Sequence, residues 1–223
     1  MLPFNPKKML AFDLETTSAK PTEARIVTSA LVRIDPDGAH PEELLADPGV
    51  EIPEAAQKVH GISTEYAREH GAPHEEVLAQ TIQTLYKAWE EDYAVVAYNA
   101  NYDLTVLHSL DPTFTVNGAV FDPYVVDKVL DRYRTGKRTL TDVCAHYNVR
   151  LDNAHEATAD ALAAARIAWM QARKYPDLLE QSGEELMEFQ AVGYYEVQED
   201  FKKYLESRGK DGSNVSTSWP IQS

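Results

Sequence analysis

Residues 8–17 read Lys-Met-Leu-Ala-Phe-Asp-Leu-Glu-Thr-Thr, a short apolar run that ends in two acids spaced two apart. The run is strand-like in length and composition. Successive side chains of a strand point to opposite faces, so Asp13 and Glu15 project from the same face at its end. Residues 25–34, Arg-Ile-Val-Thr-Ser-Ala-Leu-Val-Arg-Ile, are β-branched with partial alternation and form a second strand. Asp35-Pro-Asp-Gly38 carries turn chemistry and predicts a hairpin into a third strand between residues 42 and 50. The sheet therefore begins antiparallel.

Beyond Pro53 a short helix is expected, followed by helical spacing over 74–91 through Val77, Leu78, Ile82, Leu85 and Trp89. Tyr93-Ala-Val-Val-Ala-Tyr98 reads as a buried strand. Helices are predicted over 102–109, 123–133, 140–147 and 157–174, with a short strand near 118–121. Alternation of strand and helix after an opening hairpin predicts an α/β chain, a mixed β-sheet flanked by helices. Two segments are expected: a domain over residues 1–176, and an acidic helical extension with an irregular tail over 177–223. Residues 180–206 hold eight acids and two lysines. Tyr194, Tyr195, Phe201, Tyr204 and Trp219 are expected to pack the extension back on the domain, because so many aromatics seldom stay solvated.

The 223 residues can bury one full core, and 43% of them are apolar. No apolar run approaches a bilayer span, and the basic pair at Lys7-Lys8 is not followed by a signal-peptide core, so a cytoplasmic chain without membrane contact is expected. The single cysteine, Cys144, lies in an apolar-periodic helix and reads as a small buried hydrophobe. A net charge of −15 argues against holding nucleic acid through a broad basic surface. It leaves open an enzyme that clusters carboxylates around cations, since those cations bind phosphate oxygens themselves. One local basic patch exists, Lys128, Arg132, Arg134, Lys137 and Arg138 against Asp131. It reads equally as a solvated helix end or as a substrate-facing loop.

Two carboxylates as close as Asp13 and Glu15 repel unless a cation lies between them. Oxygen ligands without nearby Cys or His favour hard divalent ions over zinc. Asp103, in Tyr98-Asn-Ala-Asn-Tyr-Asp103, enters at the start of a helix after the buried strand. Asp160 enters at the head of an alanine-rich helix, five residues after His155. Each alone has an ordinary explanation, as a strand exit, a helix-start acid or a loop histidine. Together, four carboxylates from three elements and one histidine form the set that two-metal phosphoryl chemistry requires, with two cations about 3.5 to 4 Å apart across a scissile phosphate. An imidazole titrating near about 6.5 can take the proton of an attacking water near neutral pH.

The order Asp-x-Glu, Asn-x-x-x-Asp, His-x4-Asp resembles the DEDDh branch of the DnaQ-like exonuclease superfamily, which includes polymerase III epsilon proofreading subunits. The resemblance covers roughly residues 8–174, with all five motif positions filled. It implies a ribonuclease H-like fold, two magnesium or manganese ions held by Asp13, Glu15, Asp103 and Asp160, and His155 as base. The implied reaction is stepwise release of nucleoside 5′-monophosphates from a 3′ end. DNA is favoured as the single-stranded partner, and RNA is the nearest rival, since the motifs do not separate the two sugars. Val59-His-Gly-Ile-Ser63 resembles the family segment that contacts the terminal nucleotide, through His60 and Ile62, the latter able to stack on a base. Leu14, Thr16, Thr17, Asn99 and Tyr102 fall at substrate-side positions. Tyr98 stands where many relatives have His, and Tyr102 where Phe is usual. Gly193-Tyr-Tyr-Glu-Val-Gln-Glu-Asp-Phe-Lys-Lys-Tyr-Leu205 and the later Ser-Trp-Pro resemble the extension of stand-alone exonucleases from actinobacteria and their phages. That implies replication or repair, with a partner for the extension as a further option.

Overall fold

The computed structural model describes residues 1–151 and 154–222. Its sheet contains β1 (Met9–Thr16), β2 (Ile26–Asp35), β3 (Gly38–Asp47), β4 (Ala72–Pro73), β5 (Ala94–Val96) and β6 (Val120–Phe121), in the order β4-β3-β2-β1-β5-β6. The first three strands form an antiparallel meander; β5 and β6 then add parallel to β1 on its other side. The helices are α1 (Glu54–His60), α2 (Thr64–His70), α3 (His74–Glu90), α4 (Ala100–Leu110), α5 (Pro123–Leu130), α6 (Leu140–Tyr147), α7 (Ala157–Lys174) and α8 (Gly183–Ser207). The expected mixed sheet flanked by helices, of ribonuclease H-like type, is the fold observed.

Several elements differ from expectation, most visibly β3, α2 and α5. β3 begins at Gly38, not near residue 42, because the Asp35 carboxylate accepts from the amides of Asp37 and Gly38 and closes the turn directly onto the new strand. A second short helix, α2, follows α1; it starts where Ser63 accepts from the amide of Tyr66. The helix expected over 123–133 ends at Leu130, where the 131–138 loop is gathered around Arg138 instead. That guanidinium donates to the carbonyls of Asp127, Asp131 and Arg134.

The two sheet faces are covered differently. Leu10, Phe12 and Leu14 of β1 pack with α3 and α4 residues such as Leu85, Leu104 and Leu107. Met9 and Ala11, on the opposite face, meet Ala157, Ala161, Ala164, Ala165 and Ala168 of α7. Alanines at helical spacing let α7 lie close against the sheet, since each presents only a methyl group.

α8 opens with a capping box between Ser182 and Glu185 and packs on α5 at Gly193, where an added Cβ would lie 2.2 Å from Val129 Cγ2. Of the five aromatics expected to fold back, Tyr194 and Trp219 are buried. Tyr195, Phe201 and Tyr204 stay about half exposed: helical periodicity turns Tyr195 away from the face that carries Leu186, Gln190 and Tyr194, while Phe201 and Tyr204 return to that face on the last turns of α8, beyond Tyr194, where none of its described residues is buried. Cys144 is buried, as expected. No helix among the described residues is long and apolar enough to cross a membrane.

Candidate active site

Pairing explains why the carboxylates gather where they do. β5 runs beside β1 only as far as the pair Ala11–Val96, while β2 continues beside β1 through Asp13–Ala30 and Glu15–Thr28. The last residues of β1 therefore have a strand on one side and a gap on the other. Asp13 and Glu15 continue the face of Met9 and Ala11, toward the N-terminal turn of α7. The close approach of that helix brings Asp160 to them, and carboxylate oxygens of Asp13, Glu15 and Asp160 lie within 4.8 Å of one another.

The chain leaving β5 turns at Asn99, held in the left-handed region at φ 62°, and starts α4. Asp103, buried in the first turn of α4, accepts from the Leu14 amide at 3.1 Å. Four carboxylates from β1, α4 and α7 thus converge at one strand end.

Their electrostatics are adverse without a counter-ion. Burial, then Asp103, Glu15 and Asp160, push Asp13 well above the usual carboxylate range. Glu15 is raised to about 7, by burial first and then by Asp160 and Glu43. Asp103 and Asp160 are also raised, with burial the largest cause for each. An all-oxygen, mutually repelling set of this kind fits a hard divalent ion, whose charge would relieve every one of these interactions.

His155 stands on the loop before α7, exposed and at φ 72°, with its amide donating to the Asp160 carboxylate at 3.3 Å. A left-handed backbone at a non-glycine residue is held against a conformational preference, as at many functional loops. Its side chain shares a recess of 300 Å³ with Glu15, Glu43, His60, Ile62 and Tyr66.

A larger, mainly apolar recess of 500 Å³ adjoins it, lined by Leu14, Glu15, Thr16, Thr17, Val59, His60 and Tyr102 among others. Tyr102 uses the hydroxyl that phenylalanine lacks: it donates to the Ser18 carbonyl and contacts the Thr16 hydroxyl. His60 Nδ1 accepts from the Ile62 amide across the left-handed Gly61, at φ 77°. Asn99 lies elsewhere, in a third recess with Asp13, Tyr98, Tyr124, Arg138 and Asp160. The structure thus brings Leu14, Thr16, Thr17, His60 and Tyr102 to one cleft, Ile62 to its neighbour, and Asn99 to the other side of the carboxylates.

The basic patch is largely paired within the chain, although Arg138 also lines the recess that holds Asp13 and Asp160. Arg134 and Arg138 close on the buried Asp127 carboxylate, and Arg132 pairs with Glu196 and Asp200 of α8. Most of its charge is spent on internal pairs. The acids Asp127 and Asp131 with His146 also lie close together, but Arg134, Arg138 and Lys174 already neutralise that group.

One residue at the site was not foreseen. Glu43 of β3 stands in the row Asp13–Ala30–Glu43 across the sheet, bonds the Thr158 hydroxyl of α7 and adds negative charge to Asp13 and Glu15. Only the register of the third strand exposes this, and the sequence fixes neither that strand's start nor its partner residues.

A profile of the exonuclease family (RNase_T) matches residues 10–168, well over half of the chain. The chain belongs to this family, the DEDDh, DnaQ-like 3′-5′ exonucleases, and is an exonuclease by class. A search of curated proteins gave no match. Among solved structures, the fold is similar to E. coli exonuclease I in complex with a dA16 oligonucleotide, with TM-score 0.65 and 19% identity over 78% of this chain and 42% of that one. An exonuclease I from Methylocaldum szegediense gives TM-score 0.62 and 20% identity over 77% and 42%. The chain spans less than half the length of these proteins.

Proposed function

We propose that this chain hydrolyses the terminal phosphodiester of single-stranded DNA from the 3′ end and releases nucleoside 5′-monophosphates, with two magnesium or manganese ions held by Asp13, Glu15, Asp103 and Asp160. The observation that carries the reading is the convergence of these four buried or half-buried carboxylates, from three elements, beside one exposed histidine. The bound ions would supply charge for the phosphate and acidity for the attacking water. His155 accepts that water's proton, and the hydrogen bond from its backbone amide to the Asp160 carboxylate ties its loop to the cluster. Leu14, Thr16, Thr17, His60 and Tyr102 form a cleft for the terminal nucleotide, and Ile62 lines the recess beside it. Asn99 faces the substrate from the recess on the other side of the carboxylates.

DNA is preferred over RNA on two grounds: exonuclease I, the similar structure, is a complex with a DNA oligonucleotide, and the extension resembles that of stand-alone phage and actinobacterial exonucleases. The same resemblance supports a role in replication or repair, and a cytoplasmic address remains the expectation from the sequence. The test is degradation of a 5′-labelled single-stranded DNA and its RNA twin with magnesium, manganese or EDTA. A metal-dependent ladder shortening from the 3′ end, faster on DNA, supports the proposal. Faster shortening of RNA moves the substrate to an exoribonuclease's, and an intact oligonucleotide in every condition makes the chain a silent nucleic-acid or replisome-binding module.

A further inference from the structure

The extension reaches the catalytic carboxylates from behind. Asp122, fully buried between β6 and α5, accepts from the amides of Asn99 and Ala100 at 2.9 Å each and from Tyr124 at 3.0 Å. It therefore caps both α4 and α5. Two further bonds to this residue come from the extension: the Asp122 amide donates to Gln190 of α8 at 2.7 Å, and the Trp219 indole N–H donates to Asp122 Oδ2 at 3.3 Å.

The segment around Trp219 also grips α4 directly. Asn101 donates to the Ser218 carbonyl at 2.8 Å and accepts from the Gln222 side chain at 2.8 Å; the Gln222 amide donates to Thr105 at 2.9 Å. Asn101 and Thr105 lie one helical turn apart, on the side of α4 opposite Asp103, since two residues turn an α-helix by about 200°. The segment presses on the back of the helix whose front delivers Asp103 to Leu14 and the carboxylate cluster.

We infer that residues 218–222 are a positioning strap for Asp103, so that cation affinity at the active site is set in part by Trp219 and Gln222. This rests on the metal-site reading above. Asp103 reaches the cluster only if the first turn of α4 is fixed in place. Its bond to the Leu14 amide fixes one side of that turn, while the strap and the Asp122 cap fix the other. Groups one layer behind a metal ligand orient it, and their loss weakens metal binding without removing a ligand.

The experiment measures Mn2+ binding by calorimetry, without substrate, on wild type, Trp219→Phe and the Trp219→Phe/Gln222→Ala double variant. Trp219→Phe keeps an aromatic ring in the buried seat and deletes only the indole N–H. Circular dichroism melts confirm folding, and the Mg2+ dependence of DNA degradation is read alongside. The double variant should bind Mn2+ about tenfold more weakly, the lower end for loss of an outer-layer partner. Its activity should fall at low Mg2+ and recover at saturating Mg2+, a rescue that a damaged fold would not give. Wild-type affinity in folded variants overturns the strap alone and leaves the metal site standing. Failure of even Trp219→Phe to fold also overturns it, because the segment then serves stability only. A wild-type chain that binds no Mn2+ refutes the metal-site reading and this inference with it.

Discussion

Replacing Glu15 by Gln should stabilise the metal-free protein while removing function. In the fold Glu15 is raised from 4.5 to about 7, by burial and then by Asp160 and Glu43. Between these values the folded state holds a proton that the unfolded state has released, so stability falls as pH rises through the window. The full penalty is present above pH 7 and absent below 4.5. At about 1.36 kcal/mol per pH unit the bare conversion gives about 3 kcal/mol, which partial solvent contact reduces to on the order of 2 kcal/mol. For a chain of this length, that amounts to roughly 4 to 8 °C in melting temperature. Melts in EDTA at pH 8 should show Glu15→Gln above wild type by this margin, and melts near pH 4.5 should show the difference gone. Added Mn2+ should raise wild type more than the variant, since a ligand of the native state stabilises in proportion to its binding. A gain of equal size at both pH values, or a loss at pH 8, would refute the claim that Glu15 is held against its neighbours' charge.

Asp13→Ala should abolish shortening of a 5′-labelled oligonucleotide. His155→Ala should lower kcat by about 10²- to 10⁴-fold, as for loss of a general base, yet keep Mn2+ affinity in calorimetry. Ala164→Leu would force α7 off the sheet; it should cost about 1 to 3 kcal/mol in urea unfolding and lower cation affinity by moving Asp160. Arg138→Ala removes a partner from the buried Asp127 and the donor that gathers the 131–138 loop, so urea unfolding should show a loss of about 3 kcal/mol.

Much of the fold was legible because local chemistry and long-range packing agree. The hairpin at Asp35-Pro-Asp-Gly38 is set by one aspartate side chain, and the alanine spacing of α7 names both its helical state and the face it buries. Asp13 and Glu15 could be read as neighbours because strand alternation alone puts them on one face. Asp160 was legible for the same local reason, as a carboxylate at the head of a helix built to approach closely.

What was not legible depends on register and on distant partners. Glu43 joins the cluster only through the row Asp13–Ala30–Glu43, and on the sequence it is one of two consecutive acids on an exposed-looking stretch. The cations of 128–138 read as a patch because their partners Glu196 and Asp200 lie far along the chain, and because Asp127 sits on the buried face of α5. The role of Asp122 as a joint cap for α4 and α5 likewise needs Gln190 and Trp219, each more than sixty residues away.

The most direct test is a crystal of the protein grown with Mn2+ and a nucleoside 5′-monophosphate, with the manganese located by anomalous scattering. Two peaks, ligated among them by Asp13, Glu15, Asp103 and Asp160, with the phosphate against them and the base in the Leu14–Tyr102 cleft, are the expected result. Manganese elsewhere, or none at these carboxylates under conditions where the enzyme degrades DNA, would contradict the account.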